Sequence, residues 1–128
     1  MDLASRYRAA AEFRTALRHF LRKSENAARV AGVTPSQHLL LLQIAAVPDG
    51  RTTVSELVPK LALTQSAVTE LVQRAEQAGL VRRATSPSDG RVVHLSLTPD
   101  GQERLGRIHD ALGPERAELR RVIDALDD

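Results

Sequence analysis

The chain has 128 residues, 42% of them hydrophobic and 27% charged, with a formal net charge of +2. This length and composition predict one globular domain with a single core, not a disordered chain. The sequence contains no cysteine, which excludes disulfides, thiolate metal sites and thiol-based redox sensing. Its longest apolar run, residues 39–47, is far shorter than the ~20 residues that cross a bilayer, and no signal peptide is evident. We therefore expect a cytoplasmic protein that does not enter a membrane.

The charge is distributed unevenly along the chain. Residues 1–30 carry seven basic and three acidic side chains, residues 31–98 carry six and five, and residues 99–128 carry five and eight. The two ends therefore have opposite net charges. This suits terminal helices that lie against one another, although exposed ion pairs add only ~0 to 1 kcal/mol each.

Residues 3–29 predict one long amphipathic helix, because apolar side chains recur along one stripe and most arginines lie off it. The stripe consists of Leu3, Tyr7, Ala10, Phe13, Leu17, Phe20 and Leu21. A first helix this long and this apolar is a candidate dimerisation element. The alternative is that it wraps around its own domain.

A second helix is predicted to begin with a capping box, in which Thr34 is the N-cap, Pro35 the first helical residue and Gln37 the third. The leucines at 39–42 are apolar on nearly every side and predict a central core helix. His38, on the first turn, either packs within the fold or lines a small-molecule pocket. Residues 47–50 predict a turn.

A short third helix is predicted from Thr53 to about Ala62, with a capping box between Thr53 and Glu56. Pro59 lies inside it and removes one backbone hydrogen bond, so we expect a kink or an early stop there. A tight turn at Leu63 would then lead into a further helix and complete a helix-turn-helix.

Residues 64–79 predict the helix on which the function depends. Thr64 is a suitable N-cap, and Gly79 suits a left-handed helix end. The core-facing stripe consists of Val68, Leu71, Val72 and Ala75. The opposite side carries an uncharged row, which we call the polar row, followed by Arg74; the row consists of Gln65, Ser66, Thr69 and Gln73. Amide and hydroxyl groups can contact base edges and phosphates, which indicates a DNA-binding helix, and a merely solvated face is the alternative.

Two short strands are predicted next, at residues 80–85 and 91–97, joined by turn-forming residues at 86–90. A β-hairpin directly after a helix-turn-helix forms a winged arrangement. Arg91 is either a solvated turn residue or a side chain that enters a narrow minor groove. Asp89 is placed to hold its guanidinium.

The last helical region is predicted to begin with Thr98 as N-cap and Pro99 at the first position. Its apolar stripe consists of Leu105, Ile108, Ala111 and Leu112, continued later by Leu119, Val122, Ile123 and Leu126. Residues 113–115 either break or kink the helix. We expect so regular an apolar face to be buried against residues 3–29 of the same chain or of a partner chain.

Six segments, in family order between residues 34 and 101, resemble the MarR family of bacterial winged helix-turn-helix regulators. They are residues 34–37 (TPSQ), 53–57 (TVSEL), 63–72 (LTQSAVTELV), 79–83 (GLVRR), 89–91 (DGR) and 95–101 (LSLTPDG). The resemblance implies a mainly α fold with a small β-hairpin wing. Within a single domain, 1–128, it implies a DNA-binding lobe at 34–98 and a helical dimerisation layer at 1–33 and 99–128. Two features depart from the family pattern: only about thirty residues follow Thr98, and Pro59 replaces an ordinary helix former.

The resemblance further implies a homodimeric transcriptional regulator, most simply a repressor, that binds a pseudo-palindromic double-stranded operator. The helix from residue 64 would enter the major groove and the wing the adjacent minor groove. Arg74 would be a phosphate contact or the partner of a wing acid. Carried over by position, the candidate DNA contacts are Thr64, Gln65, Ser66, Thr69, Gln73, Arg74, Arg82, Arg83, Ser88, Asp89 and Arg91.

The resemblance implies no cofactor and no metal. Family members often respond to small aromatic or phenolic acids that bind between the dimer layer and the DNA-binding lobe, and such an effector would release the protein from its operator. The candidate effector-pocket residues are Phe13, Arg14, His19, Phe20 and His38. The same side chains serve equally well as ordinary core and helix surface.

Two other classes of function fit the sequence less well. An enzyme is disfavoured, because the sequence has no phosphate-binding glycine loop and no cysteine nucleophile, and its four histidines lack the ligand spacing of a zinc site. The second class is a winged helix that contacts protein and has lost DNA binding. It predicts acids on the groove face or no arginine on the wing, whereas Arg74, Arg82, Arg83 and Arg91 are present.

Overall fold

The computed structural model describes residues 2–126, which form six α-helices and three short strands. In chain order these are α1 (Leu3–Val30), α2 (Pro35–Ala45), β1 (Arg51–Thr52), α3 (Val54–Leu61), α4 (Gln65–Gln77), β2 (Val81–Thr85), β3 (Val93–Leu97), α5 (Pro99–Ala111) and α6 (Gly113–Asp124). The predicted class, a mainly α fold with a small β wing, is confirmed. Residue 1 and residues 127–128 of the predicted helical layer lie outside the described residues.

Side-chain caps start four of the helices where the sequence predicts them. The backbone N–H three residues later donates to each cap, which is Thr34, Thr53, Thr64 or Thr98. The capping box at Thr34 is complete, since its own N–H donates to Oε1 of Gln37 at 2.9 Å. The box predicted at Thr53 is only half formed, because the Glu56 carboxylate instead accepts a hydrogen bond from the Thr52 hydroxyl at 3.1 Å.

The wing hairpin that the sequence predicts is present as β2 and β3, and β1 extends it to a three-stranded antiparallel sheet in the order β1-β3-β2. Arg51 pairs with Ser96 and Thr52 with Leu95, which places β1 along the outer edge of β3. Thr52 is 1% exposed and Arg51 is exposed, as expected for successive residues of a strand on opposite faces. β1 therefore anchors the hairpin of β2 and β3 to the residues that start α3.

The core lies around α2, which contacts α1, α3, α4, α5 and the sheet. Its buried side chains, Leu40, Leu41 and Ile44, are each 0% exposed. The prediction of a central core helix is therefore confirmed, but two of the leucines assigned to that core, Leu39 and Leu42, remain 53% and 42% exposed. These two leucines point away from the elements that surround α2.

Two helix ends were left open by the sequence. α3 does not stop at Pro59 but continues to Leu61, since a proline in the last turn costs only one intrahelical hydrogen bond. α5 ends at Ala111 and α6 begins at Gly113, so the last helical region is broken into two helices and not merely kinked. Ala111 is exposed and does not belong to the buried stripe.

α1 packs along α6, as the opposite charges of the two ends suggest, and Val122 of α6 is 2% exposed beneath it. Much of the apolar stripe of α1 nevertheless faces outward: Leu3, Tyr7 and Leu21 are 58%, 66% and 52% exposed. α6 therefore covers only part of α1. None of the helices formed by residues 2–126 is both long enough and apolar enough to cross a membrane.

Candidate nucleic-acid interface

α4 is held in place by its buried side and by defined ends. Val68, Val72 and Ala75 are 0 to 1% exposed against the core. At its start, Thr64 Oγ1 accepts a hydrogen bond from the Ala67 N–H at 3.2 Å. After its last turn the chain turns away at Gly79, which has a φ of +76°. The opposite side of the helix therefore has a fixed orientation.

The polar row lies on that opposite side. Three of its four members, Gln65, Ser66 and Gln73, are exposed, and Thr69 is half-buried. Residues three and four apart share a helix face, so the four side chains form a continuous strip. Within residues 2–126 none of the four makes a side-chain hydrogen bond, which leaves their donors and acceptors available to an outside partner.

Arg74 extends this strip but is engaged within the helix. Its Nη2 lies 2.7 Å from Oε1 of Glu70, four residues earlier, and both side chains are largely exposed. The sequence left open whether Arg74 pairs with a wing acid, and in this structure its acidic partner is on α4 itself. An exposed pair of this kind costs little to open, so Arg74 can still reach a phosphate.

The wing, residues 81–97, projects from the end of α4 as two strands paired in register from Val81 and Leu97 to Thr85 and Val93. At its tip, Asp89 Oδ1 accepts hydrogen bonds from the backbone N of Arg91 at 3.0 Å and from its Nε at 3.4 Å. The predicted contact between Asp89 and Arg91 is therefore present. The Arg91 side chain is nonetheless 93% exposed. Ser88 is exposed beside it and hydrogen bonds through its hydroxyl to Ser86.

The two arginines at the base of the wing point to opposite faces of the sheet. Arg83 lies opposite Leu95, whose side chain is buried, and therefore faces the helices. Arg82 lies opposite Ser96, and its Nε is 3.5 Å from the serine Oγ on the outer face. Both were candidate DNA contacts, but the structure brings only Arg83 to the side of α4.

Arg83 also makes a contact that the sequence analysis missed. Its Nε lies 3.1 Å from both carboxylate oxygens of Glu76, on the last turn of α4. Its Nη2 also lies 3.1 Å from Oε1, and this bidentate ion pair joins the end of α4 to β2 and constrains the angle between the helix and the wing. Seven residues and a change from helix to strand separate the two partners, so no periodic pattern signals the pair.

A hollow of about 390 Å³ lies between the start of α3 and the inner face of the wing. Arg83 and Arg91 line one side of it, and Thr53 and Ser55 line the other. The arginines and the first N–H groups of α3 favour an anion there. Ser55 was not a candidate contact, although its place in the first turn of a capped helix was a usable signal.

The five effector-pocket candidates are not gathered in one place. His19 and Phe20 line a groove of about 620 Å³ between α1 and α6. Arg14 lines a different hollow of α1, and Phe13 is half-buried on the same helix. His38 is 7% exposed on α2, and this burial lowers its pKa below the ordinary histidine value.

The groove between α1 and α6 has a mixed lining. Arg22 and Lys23 contribute basic groups from α1, and Glu118 and Arg121 contribute an ion pair from α6 at 2.8 Å. The hydrogen bond from Arg121 lowers the pKa of the Glu118 carboxyl. The groove is therefore apolar at Phe20, and its charges are balanced, because Glu12 and Glu115 also line it.

Comparison with known proteins matches this architecture to one family. The model of the MarR family matches residues 31–92, which include α2, α3, α4, β2 and the tip of the wing. The HTH-type transcriptional repressor MdtR of Bacillus subtilis is 33% identical over 95 residues, which cover 74% of this chain and 58% of that protein. The chain belongs to the MarR family.

Solved structures of MarR-family proteins and their relatives share the fold. The YusO protein from Bacillus subtilis is 26% identical, with a TM-score of 0.66 over 90% of this chain and 78% of that one. A mutant MarR from E. coli, solved in complex with operator DNA, is 23% identical, with a TM-score of 0.70 over 94% and 86%. The chain spans about half to three fifths of the length of the first curated relatives it matches.

Proposed function

We propose that this protein is a sequence-specific DNA-binding transcriptional regulator that binds a pseudo-palindromic operator as a homodimer. The observation that carries the proposal is the polar row of α4, exposed at three of its four residues and free of internal side-chain hydrogen bonds, beside a wing whose Arg91 is 93% exposed. Uncharged amides and hydroxyls can read base edges, and arginine neutralises phosphates or enters a narrow minor groove. The two chemistries occupy adjacent elements of one lobe.

Each element has a separate role in the proposal. α4 enters the major groove with Gln65, Ser66, Thr69 and Gln73 toward the bases. Arg91 reaches the neighbouring minor groove, and Asp89 orients its guanidinium through the 3.4 Å contact. Thr64, Arg74, Arg83 and Ser88 are the remaining phosphate candidates, whereas Arg82 faces away from α4 and contributes least.

A second copy of the chain would cover the apolar surface that α6 leaves open on α1. The surface includes Leu3, Tyr7 and Leu21 on α1 and Ile123 and Leu126 at the end of the chain, each at least 38% exposed. In this proposal residues 1–33 and 99–128 form the dimer layer, and residues 34–98 form the DNA-binding lobe. Two-fold pairing presents two α4 helices to half-sites about one helical turn apart.

Repression, and release by a small molecule, are the simplest regulatory scheme. MdtR, the curated relative described above, is named a repressor. We assign a small aromatic acid to the groove between α1 and α6, where Phe20 and His19 can contact an aromatic ring and Arg22 or Lys23 a carboxylate. Addition of benzoate to the DNA complex would then release DNA from the wild type, and His19→Ala would weaken that response.

Selection of bound fragments from random duplex DNA, followed by salt titration, tests the proposed function. The selected sequence should bind far more tightly than a scrambled duplex of equal composition. Affinity for both should fall steeply with salt, because phosphate contacts release counterions. Weak, salt-indifferent binding to every duplex would instead support the protein-contact alternative.

A further inference from the structure

Arg104, on the second turn of α5, is a bridge between distant parts of the chain. Its Nη1 donates to the carbonyl oxygens of Ala31 at 2.9 Å and Gly32 at 3.5 Å, at the C-terminal end of α1. Its Nε donates to Oδ1 of Asp100 at 3.0 Å, one turn earlier on α5. The guanidinium is thus aimed by a carboxylate and placed on carbonyl groups that α1 leaves without helical partners.

The end of α1 is shaped to receive this guanidinium. Gly32 has a φ of +80°, a conformation that side chains other than glycine rarely adopt. A Cβ at this position would overlap Nη1 of Arg104. The Arg104 side chain is 31% exposed, so water screens the contact only partly. Both the turn and the space at Gly32 are therefore matched to Arg104.

The first turn of α5 is fixed just as closely to the end of α4. Thr98 Oγ1 donates to the Gly79 carbonyl oxygen at 2.6 Å, and the Thr98 N–H donates to the Leu80 carbonyl oxygen at 3.0 Å. A Cβ at Gly101 would overlap that same Leu80 oxygen. Within two turns, α5 therefore contacts the chain directly after α4 at one end and the end of α1 at the other.

We propose that Arg104 is a positioning residue that sets the separation of the two DNA half-sites, by fixing the orientation of α4 relative to α1. The inference rests on the proposed function, since it requires dimeric binding to DNA. α1 belongs to the proposed dimer layer and α4 reads the bases, so the rigid connection between them determines how far apart two α4 helices lie. Arg104 itself does not touch DNA.

The experiment measures affinity for duplexes that carry two selected half-sites at the preferred separation, or with one or two base pairs inserted or removed. The wild type should bind one separation best. Arg104→Ala should bind that duplex on the order of tenfold more weakly and should lose most of its preference among separations. Its affinity for a duplex with a single half-site should match that of the wild type.

Two further variants keep the test decisive. Arg104→Lys keeps the positive charge but loses the planar group that reaches carboxylate and carbonyl oxygens together. It should therefore lose most of the preference among half-site separations, even if Arg104→Ala fails to fold. Arg107→Ala is the matched control, because Arg107 lies on the same helix in an exposed ion pair with Glu103 at 3.4 Å, and its profile should be that of the wild type.

The outcomes separate the two proposals. A wild type with a sharp preference, and Arg104 variants that retain it, would overturn the role of Arg104 and leave the proposed function intact. A wild type that binds one half-site as tightly as two, at any separation, would overturn dimeric operator binding and the role of Arg104 with it.

Discussion

Replacement of Arg91 by alanine removes a side chain on which the fold does not depend. The side chain is 93% exposed, and its ion-pair partner is Asp89, two residues away at the tip of the wing. An exposed pair of this kind contributes ~0 to 1 kcal/mol, and surface substitutions usually change stability by less than about 0.5 kcal/mol. The melting transition of Arg91→Ala should therefore coincide with that of the wild type.

The effect on DNA binding should be much larger. Each neutralised phosphate contributes about 0.9 to the slope of log affinity against log salt, so a dimer that loses two contacts should lose about 1.8 from that slope. This contribution to affinity vanishes at 1 M salt, so at 0.1 M salt the variant should bind DNA more weakly by about 1.8 powers of ten, or roughly sixtyfold. That is about 2.5 kcal/mol per dimer.

Fluorescence anisotropy of a labelled operator fragment, titrated with protein at several salt concentrations, gives both the affinity and the slope. Arg51→Ala is the matched control, because Arg51 also follows an Asp-Gly pair and lies 3.3 Å from its aspartate, Asp49. It lies on the face of the sheet opposite buried Thr52, away from the helices, and should bind as the wild type does. An Arg91→Ala protein with the affinity and slope of the wild type would remove the wing from the proposed interface.

Three further predictions follow from particular contacts. Gly101→Ala should lower the free energy of unfolding by about 1 to 3 kcal/mol, because its Cβ would overlap a backbone carbonyl. Gly106→Ala, in open space on the same helix, is the control and should be neutral or stabilising by up to ~1 kcal/mol. Urea titration of both variants measures the difference. Ser66→Ala and Gln65→Ala should change the preference among sequences more than the affinity for random duplex, as repeated selection would show. The pKa of His38 is lowered in the folded protein, so the unfolded chain binds a proton more readily. The free energy of unfolding should therefore decrease as the pH drops below about 6.5. His38→Gln should reduce this decrease, as thermal melts at several pH values would show.

Local chemistry made the helices and the polar row predictable. Threonine N-caps, prolines at first helical positions and Gly79 define helix ends within a few residues, and the two faces of α4 follow from spacing alone. The strand β1 was missed because Arg51 and Thr52 are too short a segment to show alternation. The exposure of Leu39 and Leu42 was missed because a run of leucines carries no directional signal.

Contacts between distant segments could not be predicted in the same way. Arg104 and Asp100 are four residues apart and look like an ordinary surface pair on a helix. What distinguishes Arg104 is its contact with carbonyl oxygens more than seventy positions earlier in the chain, which carry no side-chain signature. The pair of Glu76 and Arg83 likewise depends on the turn at Gly79. The candidate effector residues lie apart because their positions depend on how α1 and α2 pack, which the sequence does not show.

Hydroxyl-radical footprinting of the selected operator tests the central claim most directly. With α4 in the major groove and Arg91 in the adjacent minor groove of each half-site, backbone protection should appear twice, related by two-fold symmetry and about one helical turn apart. Arg91→Ala should lose only the outer, minor-groove protection in each half. A single asymmetric footprint, or protection that is unchanged in Arg91→Ala, would contradict the account.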